Sequence, residues 1–536
     1  MDFHVYPEGC VFNSIEDIAG KKITVMGLGL NGGGEACVKF FLQHGAYVTV
    51  TDMKTAEQLA PTLKSIAQDE RLDKSRITYV LGQHRIEDFE NADCVIKNPG
   101  VKIQGNQYLA KAKAIETDLS IFLHFTKAPI IAVTGSKGKS STVSAIYNGL
   151  LGAGFQAYLG GNITVSPLTF LDKTDGTTPV VLELSSWQLA DLRGRKALKP
   201  KISIITRIVP DHQNWYGDMD SYIADKTLIF ADQDENDFTI VSADDDGYLK
   251  ETAIPEIGCK SWGDYFASMT KAKVLRYSSN VLQHDLFGAF LMRDGDEVCG
   301  YARLPQELMS KSSTASNIQE EKILGKLLVP GPHMKINALN ASLVLRLMNV
   351  APEQCISILS EWKGVPHRLE HFYDAVVPFN NIKLAFYNDT CATVPEACAA
   401  AVQSFDDGVV LICGGTDKNL DFTPLIQTLS GNNGKRFIPR KILLLEGTGT
   451  DKLIPLLEEE NIPYNGPYNS LGALLGILKT ELIQEDAVKT FGYTEDGGAI
   501  PVVFSPGATS FGLFSNEFER GNSFKKEVLS LFEQTH

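Results

Sequence analysis

The sequence predicts an α/β protein of three domains with mostly parallel sheets, and three observations carry that prediction. Near-continuous apolar runs recur along the chain and alternate with helical patterns, as parallel strands covered on both faces require. Two of those runs feed glycine-rich turns that open helices, at residues 27–32 and 135–140. A chain of 536 residues is also too long for one core.

The first domain, expected over residues 1–126, begins with the strand Lys22-Ile-Thr-Val-Met26. The turn Gly27-Leu-Gly29-Leu30-Asn31-Gly32-Gly-Gly34 follows, then a helical pattern from Glu35 to His44 and a second strand, Tyr47-Val-Thr-Val-Thr51, ending at Asp52. This βαβ unit, with an acid about 20 residues beyond the glycines, is the dinucleotide-type fingerprint and predicts a Rossmann-like domain. It predicts a nucleotide-phosphate site and does not specify NAD. Cys94-Val-Ile-Lys-Asn98-Pro99-Gly100-Val101 reads as a strand running into a loop at the carboxyl edge of the same sheet, where ligands bind.

The central domain, expected over 127–363, opens on a phosphate cradle. The strand Pro129-Ile-Ile-Ala-Val133 enters the turn Gly135-Ser136-Lys137-Gly138, and Lys139-Ser140-Ser141 starts a helix. Glycines let backbone N–H groups converge on phosphate oxygens, and the helix N-terminus adds its positive end. Lys139 is placed for the β- and γ-phosphates and the Ser140 hydroxyl for Mg²⁺. The commoner loop has four residues between its glycines, and this one has two. Strand patterns at 179–184 and 201–206 end near Glu183 and near Asp211-His212. Magnesium prefers oxygen, so Ser140 with Glu183 suits one ion, and His212 suits a second, less oxygen-selective position. An inserted segment, about 235–325, mixes strand patterns with a polar stretch from Ser310 to Glu321 that is expected to be exposed. The third domain, 364–536, follows Gly364-Val-Pro-His-Arg368. Its strands at 383–387, 408–413, 441–445 and 501–504 alternate with helices.

Composition excludes several classes. Lys and Arg total 50 against 65 Asp and Glu, a formal net charge of −15, which argues against a nucleic-acid or anionic-membrane surface. Nine scattered cysteines, with no C-x-x-C pair and no zinc spacing, fit reduced thiols in a cytoplasm. The start, Met1-Asp-Phe-His-Val-Tyr-Pro, lacks a basic start followed by an apolar run, so no signal peptide is expected. No apolar stretch nears twenty residues, so no membrane insertion is expected.

In the order of its motifs the chain resembles the Mur ligases over nearly its whole length. Beyond the two glycine turns they are Gly160-Gly-Asn162, Leu182-Glu-Leu-Ser-Ser-Trp-Gln188, Asp211-His212, Tyr222-Ile-Ala-Asp-Lys226 and Pro330-Gly-Pro-His333 with Asn337-Ala338. Pro366-His-Arg368, Asn388-Asp389, Gly414-Gly415 with Lys418, Ser505-Pro with Ser510-Phe511, and Arg520-Gly521 complete the series. The resemblance implies a central P-loop ATPase-like domain and a Rossmann-like C-terminal domain. It implies an ATP-dependent amide-bond ligase that adds D-glutamate to UDP-N-acetylmuramoyl-L-alanine through an acyl phosphate. Such an enzyme takes only small-molecule substrates and is expected to work as a cytoplasmic monomer.

By the same resemblance Glu183 and His212 hold magnesium, and Lys226 carries a carbamate that helps hold the second of two ions. Asn337, Arg368 and Asp389 match nucleotide positions beside Gly135, Ser136, Lys137, Gly138, Lys139, Ser140 and Ser141. Gly29, Leu30, Asn31, Asp52, Lys54, Asn98 and Gly100 match the uridine-diphosphate pocket. Asn162, Ser185 and Gln188 line the muramoyl-alanine arm, and Thr393, Lys418, Ser510 and Phe511 meet the incoming glutamate.

Three residues depart from the family pattern: Cys391 where a lysine is usual, Met334 where a polar residue is usual, and Gly512 where an acid is frequent. These departures bear on the amino-acid pocket more than on the ATP site. A related Mur or folylpolyglutamate-type ligase with another acceptor or amino acid keeps the same fold. A nicotinamide-dependent oxidoreductase built on residues 27–32 and Asp52 leaves the cradle and Lys226 unexplained. A non-catalytic nucleotide binder would not need Lys139, Glu183, His212 and Lys226 intact.

Overall fold

The computed structural model describes residues 3–163, 165–244, 259–305, 308, 320–378, 380–405, 408–430, 438–492 and 498–533. The chain forms two compact units. One comprises Met1–Lys326 with Ile336–Ser360, the other Leu327–Lys335 with Glu361–His536.

The first unit holds two sheets. Strands β1 (Lys22–Met26), β2 (Tyr47–Asp52), β3 (Ile77–Leu81), β4 (Cys94–Lys97) and β5 (Ile115–Glu116) lie in the order β3-β2-β1-β4-β5, every pair parallel. Chain direction across the sheet reverses between β1 and β4, and such a switch point leaves a crevice at the carboxyl ends of the strands. The loops after β1 and β4 border it: a Cβ built on Gly27 would lie 3.3 Å from Asn98 Cβ.

Strands β6 (Ile130–Thr134), β7 (Tyr158–Gly161), β8 (Val180–Glu183), β9 (Ile202–Ile205), β10 (Phe238–Ser242), β11 (Lys273–Ser278), β12 (Gly288–Asp294), β13 (Glu297–Arg303) and β14 (Glu320–Leu324) form the second sheet. Its order is β14-β13-β12-β11-β10-β9-β6-β8-β7. Strand β6 is buried along its whole length between β8 and β9. The ends of these three neighbours therefore converge at one edge.

The segment about 235–325 is built into the second sheet. It supplies β10–β14 and the helix Trp262–Met269, with β10 and β11 parallel to the core strands and β12, β13 and β14 forming an antiparallel meander at the edge. Of the polar stretch from Ser310, residues 310–319 lie outside the described residues. Glu320 and Glu321 are strand, pairing with Arg303 and Arg346 at 2.6 and 2.7 Å. The first two sheets share one apolar cluster, in which Phe122 of helix Asp118–Phe125 meets Phe170 with ring centroids 5.6 Å apart.

The second unit carries β15 (Glu370–Val376), β16 (Lys383–Asn388), β17 (Val410–Cys413), β18 (Lys441–Leu445), β19 (Asn465–Tyr468) and β20 (Ile500–Phe504), ordered β15-β16-β20-β17-β18-β19. Only the edge strand β15 is antiparallel. Among the described residues no helix is long and apolar enough to cross a membrane, and all nine cysteines are free thiols.

Candidate active site

The cradle lies where β6 ends against its two neighbours. Gly138 takes φ +94 and caps helix Lys139–Gly152. The first-turn amides of that helix have no partners within it and aim their N–H groups at the loop. Lys139 Nζ donates to the carbonyls of Gly135 (2.9 Å) and Ser136 (3.0 Å), which holds the ammonium over the loop.

Two cradle residues serve as braces. The N–H groups of Ser136 and Lys137 donate to Arg207 O at 2.9 and 3.2 Å, and the Ser136 hydroxyl donates to Val209 O at 2.9 Å. Ser136 and Lys137 thus tie the loop to the segment after β9. Sequence pattern could not separate these roles, since all of these residues share one turn.

Asn337 sits behind the loop. It is buried and accepts from Thr142 Oγ1 at 3.4 Å. A Cβ at Gly138 would meet Asn337 Oδ1 at 2.6 Å. Gly138→Ala combines a left-handed φ with that clash, a strain of about 1–3 kcal/mol. The expected result is a rise of about tenfold in the KM for ATP with a Tm drop of a few degrees. Steady-state kinetics and a melting curve check it, and an unchanged KM for ATP would mean that the loop absorbs the methyl.

Glu183 ends β8. Asn162 Nδ2 donates to its Oε1 at 2.9 Å, while Oε2 is buried with no hydrogen-bond partner. A buried carboxylate oxygen left open beside a phosphate loop is costly unless a cation completes it, so Glu183 fits a magnesium ligand. Asn162 therefore orients Glu183, a role beyond lining a substrate path. Among the described residues no three His, Cys, Asp or Glu side chains converge at metal-binding distance. Any ion here must also draw on the Ser140 hydroxyl, on phosphate oxygens or on a modified lysine.

Lys226, the last residue of helix Met219–Lys226, is 1 % exposed. Its Nζ donates to Gly135 O at 2.9 Å and lies 4.5 Å from the Tyr222 ring centre. Burial, and then the charge of Lys139, hold its pKa well below the ordinary lysine value, against the pull of Asp211, Asp225 and Glu183. The amine is thus driven toward its neutral, nucleophilic form. Tyr222, whose hydroxyl lies 2.9 Å from Ser136 Oγ, joins the two sides of this pocket. It belonged to a recognised motif, and its wholly buried ring is what assigns it the role.

His212 follows β9 with φ +53, an uncommon backbone for a non-glycine residue. Its ring packs 4.9 Å from Trp187. Burial lowers its pKa, Asp211 opposes, and Lys139 and Lys137 lower it further, which favours the neutral imidazole that can ligate. Ser185 and Gln188 cap helix Ser186–Ala190 reciprocally: the Gln188 N–H donates to Ser185 Oγ at 3.2 Å and the Ser185 N–H to Gln188 Oε1 at 3.0 Å.

At the crevice of the first sheet, Asp52 accepts the N–H groups of Gly29 (3.0 Å) and Lys54 (2.9 Å). One oxygen thus holds the glycine turn and the other the loop after β2, which leaves the remaining lone pairs for a ligand. Asn98 Oδ1 accepts the Gly100 N–H at 3.0 Å. Leu30, Asn31 and Lys54 are exposed at the turn.

In the second unit the loops after β16, β20 and β17 meet. Asp389 accepts from Ser505 Oγ at 2.7 Å and from the Leu369 N–H at 3.0 Å. Burial pushes its carboxyl up to about 7. It therefore braces the turn carrying Arg368. The Gly507 N–H donates to Ala392 O at 2.8 Å, beside Thr393. Thr416 and Thr509 exchange backbone hydrogen bonds of 3.1 Å, and Thr416 Oγ1 donates to Phe511 O. These bonds zip the loop of Lys418 to that of Ser510 and Phe511. Lys418 and Phe511 are exposed and Ser510 is buried.

Cys391 supplies no charge, since burial raises its thiol to about 11. Gly512 has φ +105, so the acid frequent in the family would be strained there. Arg520, buried on helix Glu517–Phe532, donates to Thr390 O (2.9 Å) and Ala508 O (3.0 Å) and so clamps two of these loops. Its place in the chain, in Arg520-Gly521, gives no sign of this clamp, because neither partner is a neighbour in sequence.

Residues 133–345 match the family model of the Mur ligase middle domain, and residues 21–120 match that of the Mur ligase MurD-like, N-terminal domain. The UDP-N-acetylmuramoylalanine–D-glutamate ligase of Treponema pallidum (strain Nichols) is 38% identical to this chain, covering 96% of it and 99% of the relative. That of Borreliella burgdorferi (strain ZS7) is also 38% identical, with the same coverage of both chains. The crystal structure of the UDP-N-acetylmuramate–alanine ligase MurC from Thermotoga maritima aligns with a TM-score of 0.54 at 17% identity, over 95% of this chain and 99% of that one. The last likeness concerns the fold alone.

Proposed function

This chain belongs to the Mur ligase family, and from that premise we propose that it is the ATP-dependent ligase that joins D-glutamate to UDP-N-acetylmuramoyl-L-alanine in peptidoglycan precursor synthesis. Relatives 38% identical over nearly their whole length carry that name. The observation that supports it most is the meeting, at the ends of β6, β8 and β9, of a glycine-rich strand-to-helix turn, an open buried carboxylate oxygen and a wholly buried lysine whose ammonium reaches Gly135 O. That set fits a carboxylate-activating ATP enzyme better than a hydride-transferring one.

The division of labour follows the three proposed domains. Residues 1–126 take the uridine-diphosphate end on the loops after β1 and β4, 127–363 take ATP, and 364–536 take the amino acid. The substrate carboxylate attacks the γ-phosphorus, the bond to the bridging oxygen of ADP breaks, and an acyl phosphate forms. The glutamate amine then attacks the acyl carbon, and phosphate leaves with the bonding electrons. Activation is needed because a carboxylate oxygen is a poor leaving group and phosphate a good one.

Lys139 and the first-turn amides stabilise charge on the moving phosphoryl group. Magnesium, when bound, supplies further charge neutralisation on the phosphates. We assign one ion to Ser140 and Glu183, and a second to His212 and Lys226 as its carbamate. The neutral Lys226 amine adds to carbon dioxide and loses a proton, which turns a cation into an oxygen ligand. Arg368 serves the nucleotide phosphates and Asp389 holds its turn. We place the enzyme in the cytoplasm, where its nucleotide substrates are, as a monomer.

Phosphate release from purified protein with ATP and UDP-N-acetylmuramoyl-L-alanine, adding each candidate amino acid in turn, tests the reading. Release dependent on D-glutamate is expected, and release dependent on another amino acid would reassign the acceptor step. Lys418 is the cation among the candidate glutamate contacts, and Cys391 adds none. Lys418→Ala is therefore expected to raise the glutamate KM about tenfold and leave the ATP KM unchanged. An unchanged glutamate KM beside a raised ATP KM would move Lys418 to the nucleotide.

A further inference from the structure

A buried charge network joins the first two sheets, and none of the roles above uses it. Lys97, the last residue of β4, is 3 % exposed. Its Nζ donates to the carbonyls of Asn98 (3.1 Å) and Val101 (2.9 Å) and stands 2.9 Å from Asp191 Oδ2. An ammonium has three donors. Here they face the carbonyls of the 98–101 loop, Pro99 O at 3.5 Å included, while the charge pairs with Asp191, the residue that closes helix Ser186–Ala190.

The other Asp191 oxygen accepts from Tyr6 Oη at 2.9 Å. Arg195 lies 4.1 Å from the Tyr6 ring centre, donates to Asp191 O (2.8 Å) and Ile115 O (2.6 Å), and pairs with Glu116 at 2.7 Å. The Tyr6 N–H donates to Arg193 O at 2.9 Å, so the N-terminal segment is tied into the same joint.

Stability alone does not explain this arrangement. Desolvating ions costs about as much as their attraction returns, and a packed apolar pair would hold two surfaces together as well. What an ion network adds is a fixed register. The two parts it registers are the loop assigned to the uridine-diphosphate end and the helix whose Ser185 and Gln188 are assigned to the muramoyl-alanine arm.

We propose that Lys97 is a positioning residue for the UDP-sugar-peptide substrate: it closes the 98–101 loop and sets its spacing from helix Ser186–Ala190. The substrate's carboxylate is then delivered to the cradle once its nucleotide end is seated. The identity of that substrate rests on the function proposed above.

The test compares the parent with Tyr6→Phe, Lys97→Met and Lys97→Met/Asp191→Leu, with melting curves and with each substrate varied separately. Lys97→Met leaves Asp191 buried and unpaired, so its Tm should fall. The double variant removes both charges and should regain much of that loss. The double variant is nonetheless expected to keep a KM for UDP-N-acetylmuramoyl-L-alanine at least tenfold above the parent's, with the ATP KM within twofold. Tyr6→Phe deletes one hydroxyl without bulk and should raise the same KM about threefold. Parental KM values in the double variant and in Tyr6→Phe, or equal rises for both substrates, would overturn the proposal. Calorimetric binding of the UDP substrate to parent and variants gives the same comparison without turnover. A parent that binds but does not ligate thus counts against the activity and not against Lys97.

Discussion

Lys139→Ala should cut turnover by about a thousandfold, or ~4 kcal/mol of transition-state stabilisation, while leaving the fold intact. The lysine stands at the loop that receives the transferring phosphates, with its ammonium held by the carbonyls of Gly135 and Ser136. In the transition state the moving phosphoryl group spreads negative charge over its oxygens, and a positioned cation is worth most there. Its side chain is only half-buried, so truncation opens no core cavity and the melting temperature should move by no more than a few degrees. Ligation within a few-fold of the parent would remove Lys139 from the phosphate site.

Lys226→Ala should be nearly inactive for a different reason, and short-chain carboxylic acids should restore part of the activity. The proposed carbamate falls on a wholly buried lysine whose pKa is held well below the ordinary value by burial and then by the charge of Lys139. Truncation removes that oxygen ligand and leaves a space lined by Gly135 O and the Tyr222 ring. A small carboxylate entering that space offers the same two oxygens. Rescue that saturates with the acid, and that fails for Lys139→Ala, is the expected signature. Full activity in Lys226→Ala at ordinary bicarbonate and magnesium would exclude the role.

The parallel core of the fold was legible because its strands are short apolar runs that need no partner to be recognised. Strands β6, β8, β9, β17, β18 and β20 all announce themselves in this way, each buried along nearly its whole length. Edge strands do not. Strand β15 is half-buried along most of its length and β19 reads Asn-Gly-Pro-Tyr, a turn composition that only pairing with β18 makes a strand.

The site divides along the same line. Residues whose chemistry is local to one turn, such as Lys139 and Ser140, can be placed by spacing. Residues whose role comes from a partner far along the chain cannot: Lys97 meets Asp191, and Arg520 meets Ala508 and Thr390, with no periodicity to mark either. Asp52 shows a further task that the fingerprint does not mark, since its carboxylate also accepts the Gly29 and Lys54 N–H groups.

The tie between Tyr6 and the residues around Asp191 also sets an order of events during synthesis. All five strands of the first sheet have emerged by Glu116, yet the partners of Tyr6 at Asp191 and Arg193 are made much later. Domains fold as units while the chain elongates, so the first sheet should close with its leading residues still loose. A stalled nascent chain ending near residue 150 should be clipped by protease around Tyr6, and one extended past residue 230 should resist. Residues made ahead of the first sheet are then among the last of the unit to settle.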